Sequence, residues 1–597
     1  MVIKNKSSLM FFLLVIVSFS LLIYFVFKSS LHLSLWGDDW EMLWIIKNYY
    51  GPGNQFPYLA LKGYAQPWGV MNLFLIINKH FFEYSAYGYY FVSMVLRLLS
   101  ALAGYLFLTK FNKSKFIGLI GGLFVLIGYT GIESTNYTIH MNTYLVPMFM
   151  FLTLITLIDS YKNRLWKFLL GCFLFALSLA ASPLRSHGLL PFVVIFDILF
   201  GLTIAKVNWK KILFRQVFLF LSFLVIYKLK FFGTPTEFIN LAAIVQMIKD
   251  GNYTFISCFI TTLGRAYFPD IFLTGMNSLV TIFGLDWFRT VAIISFLVES
   301  LLFWYFAIIT KQKIKSYIVA LSALALNFSI IALIFNKFRY ESWLNSLAIS
   351  TFIGIFFLSF LFWAFYTLFK SKKEDDRIGW LGIIAGPTLI LTSLLVPLFH
   401  NVGGSLESNY RYLTLGMSGV AITFSAMLKL SMASRKGVFL ISSLLVILIM
   451  TNIAADKSYF TNLYLRRSPQ LEDSMWNQFN GYMKKYFQSY PNKLLLFYLE
   501  DKDAGGIADN IFHYGFGLRI ALENNINDQS ILPISTNIYD EIVSAATDGK
   551  SFLRLGYPQK KIDINQIYAF KITKTGELLD ITESVRKKVS TESNTHE

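Results

Sequence analysis

Thirteen apolar runs of 14 to 23 residues occupy the first 455 positions: 9–27, 89–109, 116–131, 143–158, 168–181, 189–205, 212–228, 291–310, 316–335, 347–369, 380–398, 413–428 and 437–454. About 20 such residues cross the hydrocarbon of a bilayer, and no water-soluble core could hold so many. Composition agrees. The chain is 55% apolar, with 59 Phe and 33 Tyr among 597 residues, and only 15% charged, against about 25% charged in an ordinary soluble domain. A soluble enzyme and a disordered scaffold are excluded. The expected fold class is an α-helical polytopic membrane protein with about thirteen transmembrane helices and a small C-terminal α/β domain on the outer face.

The net charge of +18 suggests nucleic acid until it is divided by position. From Asp456 onward there are 17 basic and 18 acidic residues, so the first 455 residues hold 36 basic against 17 acidic. All the excess lies between apolar runs, where it sets orientation in a bilayer. One set of loops (1–6, 110–115, 159–167, 206–215, 311–315, 370–377, 429–436) carries 22 Lys and Arg; the alternate short loops (131–142, 182–188, 336–346, 400–412) carry 4. The positive-inside rule then places the N-terminus in the cytoplasm, and odd parity places the C-terminal segment outside. Nucleic-acid binding is not supported; membrane lipids are the expected surroundings, and the cytoplasmic (plasma) membrane the expected location.

The run 9–27 follows Lys4 and Lys6 and leaves through Phe27-Lys28-Ser29-Ser30 without an A-x-A-like cleavage site, so it reads as an uncleaved first span. Region 229–290 is ambiguous, its apolar pieces (Phe255 to Leu263, Ile271 to Phe283) being broken by Arg265, Pro269 and Asp270; either a pair of crossings or none keeps the parity. Cys172 and Cys258, in an apolar run and a loop region, form no metal or disulfide spacing. Two domains are expected, 1–455 in the membrane and 456–597 outside. In the second, Ser468 to Phe487 has helical spacing, Lys493 to Glu500 and Tyr568 to Ile572 read as buried strands, and a polar tail follows Arg586.

The first outer loop is the chemically informative place. Directly after the first span comes Leu35-Trp36-Gly37-Asp38-Asp39-Trp40-Glu41, three carboxylates bracketed by tryptophans suited to the headgroup layer. A helix starting there would have Asp38 as its cap and Met42, Ile45 and Ile46 on a membrane-facing side. The plain reading is a capped helix with acidic residues in its first turn. Adjacent carboxylates beside aromatic rings also repel each other and lose solvation, which raises at least one pKa and suits a general base or a hard-cation ligand. Basic residues are scarce outside, yet they sit at span edges: Arg185, Lys337, Arg339 and Arg411. Each could snorkel to lipid headgroups; together they could hold a phosphate. His140 and His187 also fall near the outer face, where a lone histidine more often makes a structural hydrogen bond.

This layout resembles the GT-C superfamily of integral-membrane glycosyltransferases, which includes protein O-mannosyltransferases, aminoarabinose transferases and bacterial relatives. The resemblance rests on the acidic pair Asp38-Asp39 at the start of the first outer loop. It extends to Gly63-Tyr-Ala-Gln-Pro-Trp68, Phe81 to Tyr84, Tyr89 to Tyr105, Gly131 to Pro147 and Tyr410-Arg-Tyr-Leu413. It implies an inverting transferase that moves a sugar from a polyprenyl-phosphate donor to a glycan, lipid or protein acceptor at the outer face. Asp38 matches the family's proposed general base and Asp39 the second acid. Arg411 and, less closely, Arg185 would hold the donor phosphate; Glu41, His140, His187, Arg339 and Tyr410 would supply further substrate contacts. Metal use varies in the family, and this sequence has no second acidic cluster, so no essential metal is expected, a divalent cation being the alternative. Two other readings compete: a transporter or flippase for lipid-linked saccharides, which should show charged or broken helices near mid-membrane, where this sequence has few charges, mainly Asp197 and Glu299, and a polysaccharide polymerase or ligase built on outer-loop arginines.

Overall fold

A computed structural model describes residues 6–49, 69–162, 164–186, 188–228, 241–251, 254–268, 287–337, 348–395, 413–487, 491, 493–501, 511–512, 515–550 and 561–596. A helix lies over each of the thirteen apolar runs. Among the described residues eight helices are long and apolar enough to cross a membrane, including Leu9–His32, Ala86–Asn112, Ala348–Lys370 and Thr414–Ser431. The chain is an integral membrane protein. Several other apolar helices are shorter, such as Lys115–Ile127 and Leu165–Ala181.

Local chemistry sets the helix ends. Ser114 and Ser434 each accept a backbone N–H, from Ile117 and Gly437, where the chain turns back into an apolar helix; each relieves one of the unpaired donors of a first turn. Small residues then let helices close on one another. A Cβ on Gly386 would stand 2.5 Å from the Gly419 carbonyl, so Glu374–Ser393 and Thr414–Ser431 pack backbone against backbone. Gly264 and Gly354 do the same for Thr254–Tyr267 and Ala348–Lys370. The ambiguous piece Phe255 to Leu263 therefore lies in a 14-residue helix, Thr254–Tyr267, about 21 Å long and too short for the ~30 Å hydrocarbon. Cys258 belongs to this helix and not to a loop; Ile271 to Phe283 lies outside the described residues.

The last apolar helix does not stop where composition changes. Arg435–Arg466 runs for 32 residues through position 456. After Arg467, Ser468 caps the amphipathic helix Pro469–Tyr486 by accepting from Leu471 N (3.2 Å), with Pro469 in the first turn where its missing N–H costs nothing. The C-terminal sheet follows: β1 (Leu496–Glu500), β2 (Ile534–Thr536), β3 (Ile567–Ile572) and β4 (Leu578–Asp580), in the order β2-β1-β3-β4. β1 pairs in parallel with β2 and β3, with Leu496 opposite Ile534 and Ile567; β3 and β4 are antiparallel. The central strands are apolar on both faces, as expected when helices cover both. One face (Leu495, Phe497, Leu499, Phe570) packs on Trp476, Phe479 and Phe516 and is continuous with the core of the membrane helices. The opposite face (Leu496, Tyr498, Ala569) packs on Ile542, Val585 and Val589 of Tyr539–Thr547 and Thr582–His596.

Candidate active site

The first span ends in a short turn, Lys28–His32, and the chain then enters the helix Asp38–Tyr49. Gly37 makes the entry possible with φ +54, a left-handed conformation that costs glycine little. Asp38 is itself the first helical residue, and its side chain lies outside the described residues. The carboxylate that ties down the start of this helix belongs to Asp39. Its Oδ2 accepts from Trp36 N (3.1 Å), and its Oδ1 accepts from Thr138 N (3.0 Å) and Thr138 Oγ1 (2.6 Å). Asp39 is 0% exposed. Burial pushes its carboxyl up to about 6, against the opposing pull of the Thr138 and Trp36 hydrogen bonds and the Arg467 charge.

Thr138 opens the 3-10 segment Thr138–Tyr144, so Asp39 joins the segment after the first span to a segment 99 residues away. Aromatic contacts close the same joint. The Trp36 ring meets Tyr137 edge-on at 5.2 Å, and the Arg467 guanidinium lies 5.2 Å from the Trp36 ring centre. Arg467, 2% exposed, donates to Ser34 O (2.9 Å) and to Tyr90 Oη (3.1 Å), and its own carbonyl accepts from Ser34 N (3.1 Å). A guanidinium buried this way, held by backbone and hydroxyl oxygens, leaves its charge to act on Asp39.

The other face of Asp38–Tyr49 is not turned to lipid. Leu43, Trp44 and Ile46 are buried and Met42 and Ile45 pack against the same core, which corrects the expectation of a membrane-facing side. The reason is the C-terminal unit, which packs on that face. Trp44 Nε1 donates to Ile526 O (2.9 Å), Lys47 Nζ donates to Leu522 O (2.9 Å) and Asn525 Oδ1 (2.7 Å), and Gly515 (φ +89) brings its backbone against Gly37 O. Arg519 of the helix Phe516–Glu523 ion-pairs with Glu472 and Glu523 and lies between the rings of Trp40 and Trp476, 4.9 and 4.2 Å from their centres.

Of the residues singled out from sequence, Asp39 and Glu41 share this helix, and His140, buried with its ring 5.6 Å from Tyr137, follows Thr138 by two positions. Arg185 is buried in the turn Pro183–Ser186 and donates to Ser182 Oγ (3.4 Å). Its loop joins the same end of the molecule through Asn142, whose Nδ2 donates to Ala181 O (2.6 Å). His187, Arg339, Tyr410 and Arg411 lie outside the described residues. Sequence reasoning missed Thr138, Arg467, Arg519 and Glu472. For Arg467 the available signal was the one that picked out Arg185, a basic residue at the end of a span. Asp456, three turns before Arg467, is fully buried with neither oxygen hydrogen-bonded among the described residues. Asp197 is in a closed network: Arg215, Gln216 Nε2 (2.9 Å) and Tyr161 Oη (3.1 Å) all donate to it.

No family model matches the chain, and no curated protein matches it. Among solved structures it is loosely similar to the archaeal oligosaccharyltransferase AglB from Archaeoglobus fulgidus, determined in complex with an inhibitory peptide and a dolichol-phosphate. The two are 13% identical, the match covers 95% of this chain and 70% of that one, and the TM-score is 0.44. A likeness so loose fixes neither a fold family nor an activity.

Proposed function

We propose that this protein is a membrane glycosyltransferase of the GT-C type, which moves a sugar from a polyprenyl-phosphate donor to an acceptor at the outer face of the cytoplasmic membrane. The observation that carries the reading is the burial of Asp39. A helix begins on the acidic pair at the exit of the first span, and Asp39 is buried and cross-tied to Thr138 instead of being solvated as an ordinary acidic first turn would be. A purely structural helix start gains about 1 kcal/mol from an exposed cap; it has no need of a desolvated carboxylate beside a buried guanidinium.

In this reading the two acids divide the work. Asp39 is a positioning residue: with both oxygens accepting hydrogen bonds, it fixes the direction in which the neighbouring Asp38 leaves the helix. Asp38 is the general base. It takes the proton of the acceptor hydroxyl as that oxygen bonds to the anomeric carbon, while the bond from that carbon to the donor phosphate oxygen breaks and polyprenyl phosphate departs. Phosphate leaves readily, so no strong general acid is needed; a cation near its oxygens is enough. Arg411 and Arg185 are assigned that part by the family resemblance, with Glu41, His140, His187, Arg339 and Tyr410 around the substrates.

Replacing Asp38 by Asn keeps the shape and removes the base. Transfer from lipid-linked sugars in membranes should fall roughly a hundredfold or more, with the protein still inserted and folded. Full activity in Asp38→Asn would remove the role. The transporter alternative draws on Asp197 and Glu299, but Asp197 is already held by Tyr161, Arg215 and Gln216. Movement of a lipid-linked saccharide across proteoliposomes, unchanged by Asp38→Asn and without glycosidic product, would favour that alternative.

A further inference from the structure

Against Trp40 of Asp38–Tyr49 the described residues line a cavity of about 460 Å³, within the ~300–1,000 Å³ of small-ligand sites. Residues 31–35, where the first span ends, line it with three leucines, His32 and Ser34. Its walls carry two kinds of chemistry. The rings of Trp40 and Tyr84 stand 6.3 Å apart and inclined by 32°, and Tyr84 and the neighbouring Tyr87 are 42% and 53% exposed. Facing them are Glu472, Asp473 and Glu523 with the single guanidinium of Arg519.

The charges decide what such a cavity can take. Arg519 is already paired with Glu472 and Glu523 and lies against two tryptophan rings, so its charge is offset within the cavity wall before any anion arrives. Three carboxylates against one guanidinium leave the lining negative, which repels phosphates and acidic sugars. Aromatic faces beside acceptor oxygens match a pyranose ring, whose C–H face lies on the arene while its hydroxyls donate to carboxylates. Arg519 already covers the Trp40 ring, so the faces open to a sugar are those of Tyr84 and Tyr87; an ammonium ion competes for the same faces, and choline is therefore the discriminating probe.

We propose that this cavity is a saccharide-binding subsite for neutral or amino sugars that excludes acidic ones. It stands beside the transferase reading and does not depend on it. Asp39 and Trp40 are consecutive on one helix, so an occupant of the cavity would sit one side chain away from the acidic pair.

The test is calorimetric titration of the full-length protein in detergent, with no lipid donor present. The probes are a neutral β-glucan trisaccharide, a chitosan trisaccharide, a polygalacturonate trisaccharide and choline. The first two should bind and polygalacturonate should bind roughly tenfold more weakly or not at all. Tyr84→Ala and Tyr87→Ala, both at exposed positions, should each weaken glucan binding roughly tenfold in protein that stays monodisperse. Asp473→Asn should narrow the gap between chitosan and polygalacturonate. Absence of saccharide binding to monodisperse protein, preference for the uronate, binding of choline alone, or affinity indifferent to both tyrosine changes would each overturn the proposal. Because no donor is present, failure of the transferase reading would leave these results unchanged.

Discussion

Asp39 pairs a carboxylate with three hydrogen-bond donors and still sits at a pKa of about 6 instead of 3.8, because removal from water outweighs what those donors return. The sign of the consequence follows. Between roughly pH 4 and 6 the native chain holds a proton that the unfolded chain has lost, so this group's contribution to stability falls as pH rises through 6. Two units correspond to about 3 kcal/mol. The melting temperature in detergent should therefore decline from pH 5 to pH 7, and Asp39→Asn should flatten that decline; an unchanged slope would mean that another group titrates. A second expectation concerns Thr138→Val, which keeps the backbone donor but removes the hydroxyl. It should cost about 1.5–3 kcal/mol, the worth of a hydrogen bond to a charged group, read as a lower melting temperature at pH 7. The acidic pair was legible because two carboxylates beside a span exit are unusual wherever they occur. Its partners were not: Thr138 is 99 residues away and Arg467 bonds Ser34 across 433, and no periodicity reports contacts of that range.

The helix Asp38–Tyr49 is gripped on two sides, by Thr138–Tyr144 through Asp39 and by the C-terminal unit through Trp44 and Lys47. Gly515 is the tightest point of that second grip. Its φ of +89 and the 2.6 Å from a Cβ to Gly37 O leave no room for a side chain. Gly515→Val should loosen the contact and expose the segment to limited proteolysis in detergent, while a substitution at Gly481, with open space around it, should not. Element existence was readable here from simple signals, such as Ser468 before Pro469 and the apolar β1 and β3. The packing of this helix was not, because Met42, Ile45 and Ile46 look alike whether lipid or protein covers them. Only the position of Phe516–Glu523 decides between the two, and that position depends on a fold assembled a further 470 residues along the chain.

At the scale of the whole molecule one apolar core runs from the membrane helices into one face of the C-terminal sheet, so the two parts do not swing independently. The proposed sidedness can be tested on the same rigid frame. Single cysteines at Lys162 and Lys372, in basic loops, should resist a membrane-impermeant maleimide in intact cells, and a cysteine at exposed Asp548 should react; the reverse pattern would invert the orientation. Loop charge alone carries that expectation, 22 basic residues against 4 being a bias that no single span decides. The number of crossings was less legible, because short buried helices such as Thr254–Tyr267 share the apolarity of true spans. The 32 residues of Arg435–Arg466 form a rod about 48 Å long, of which the hydrocarbon takes ~30 Å. The remainder is a ruler: residue count along one continuous rod sets how far from the hydrocarbon the C-terminal unit stands.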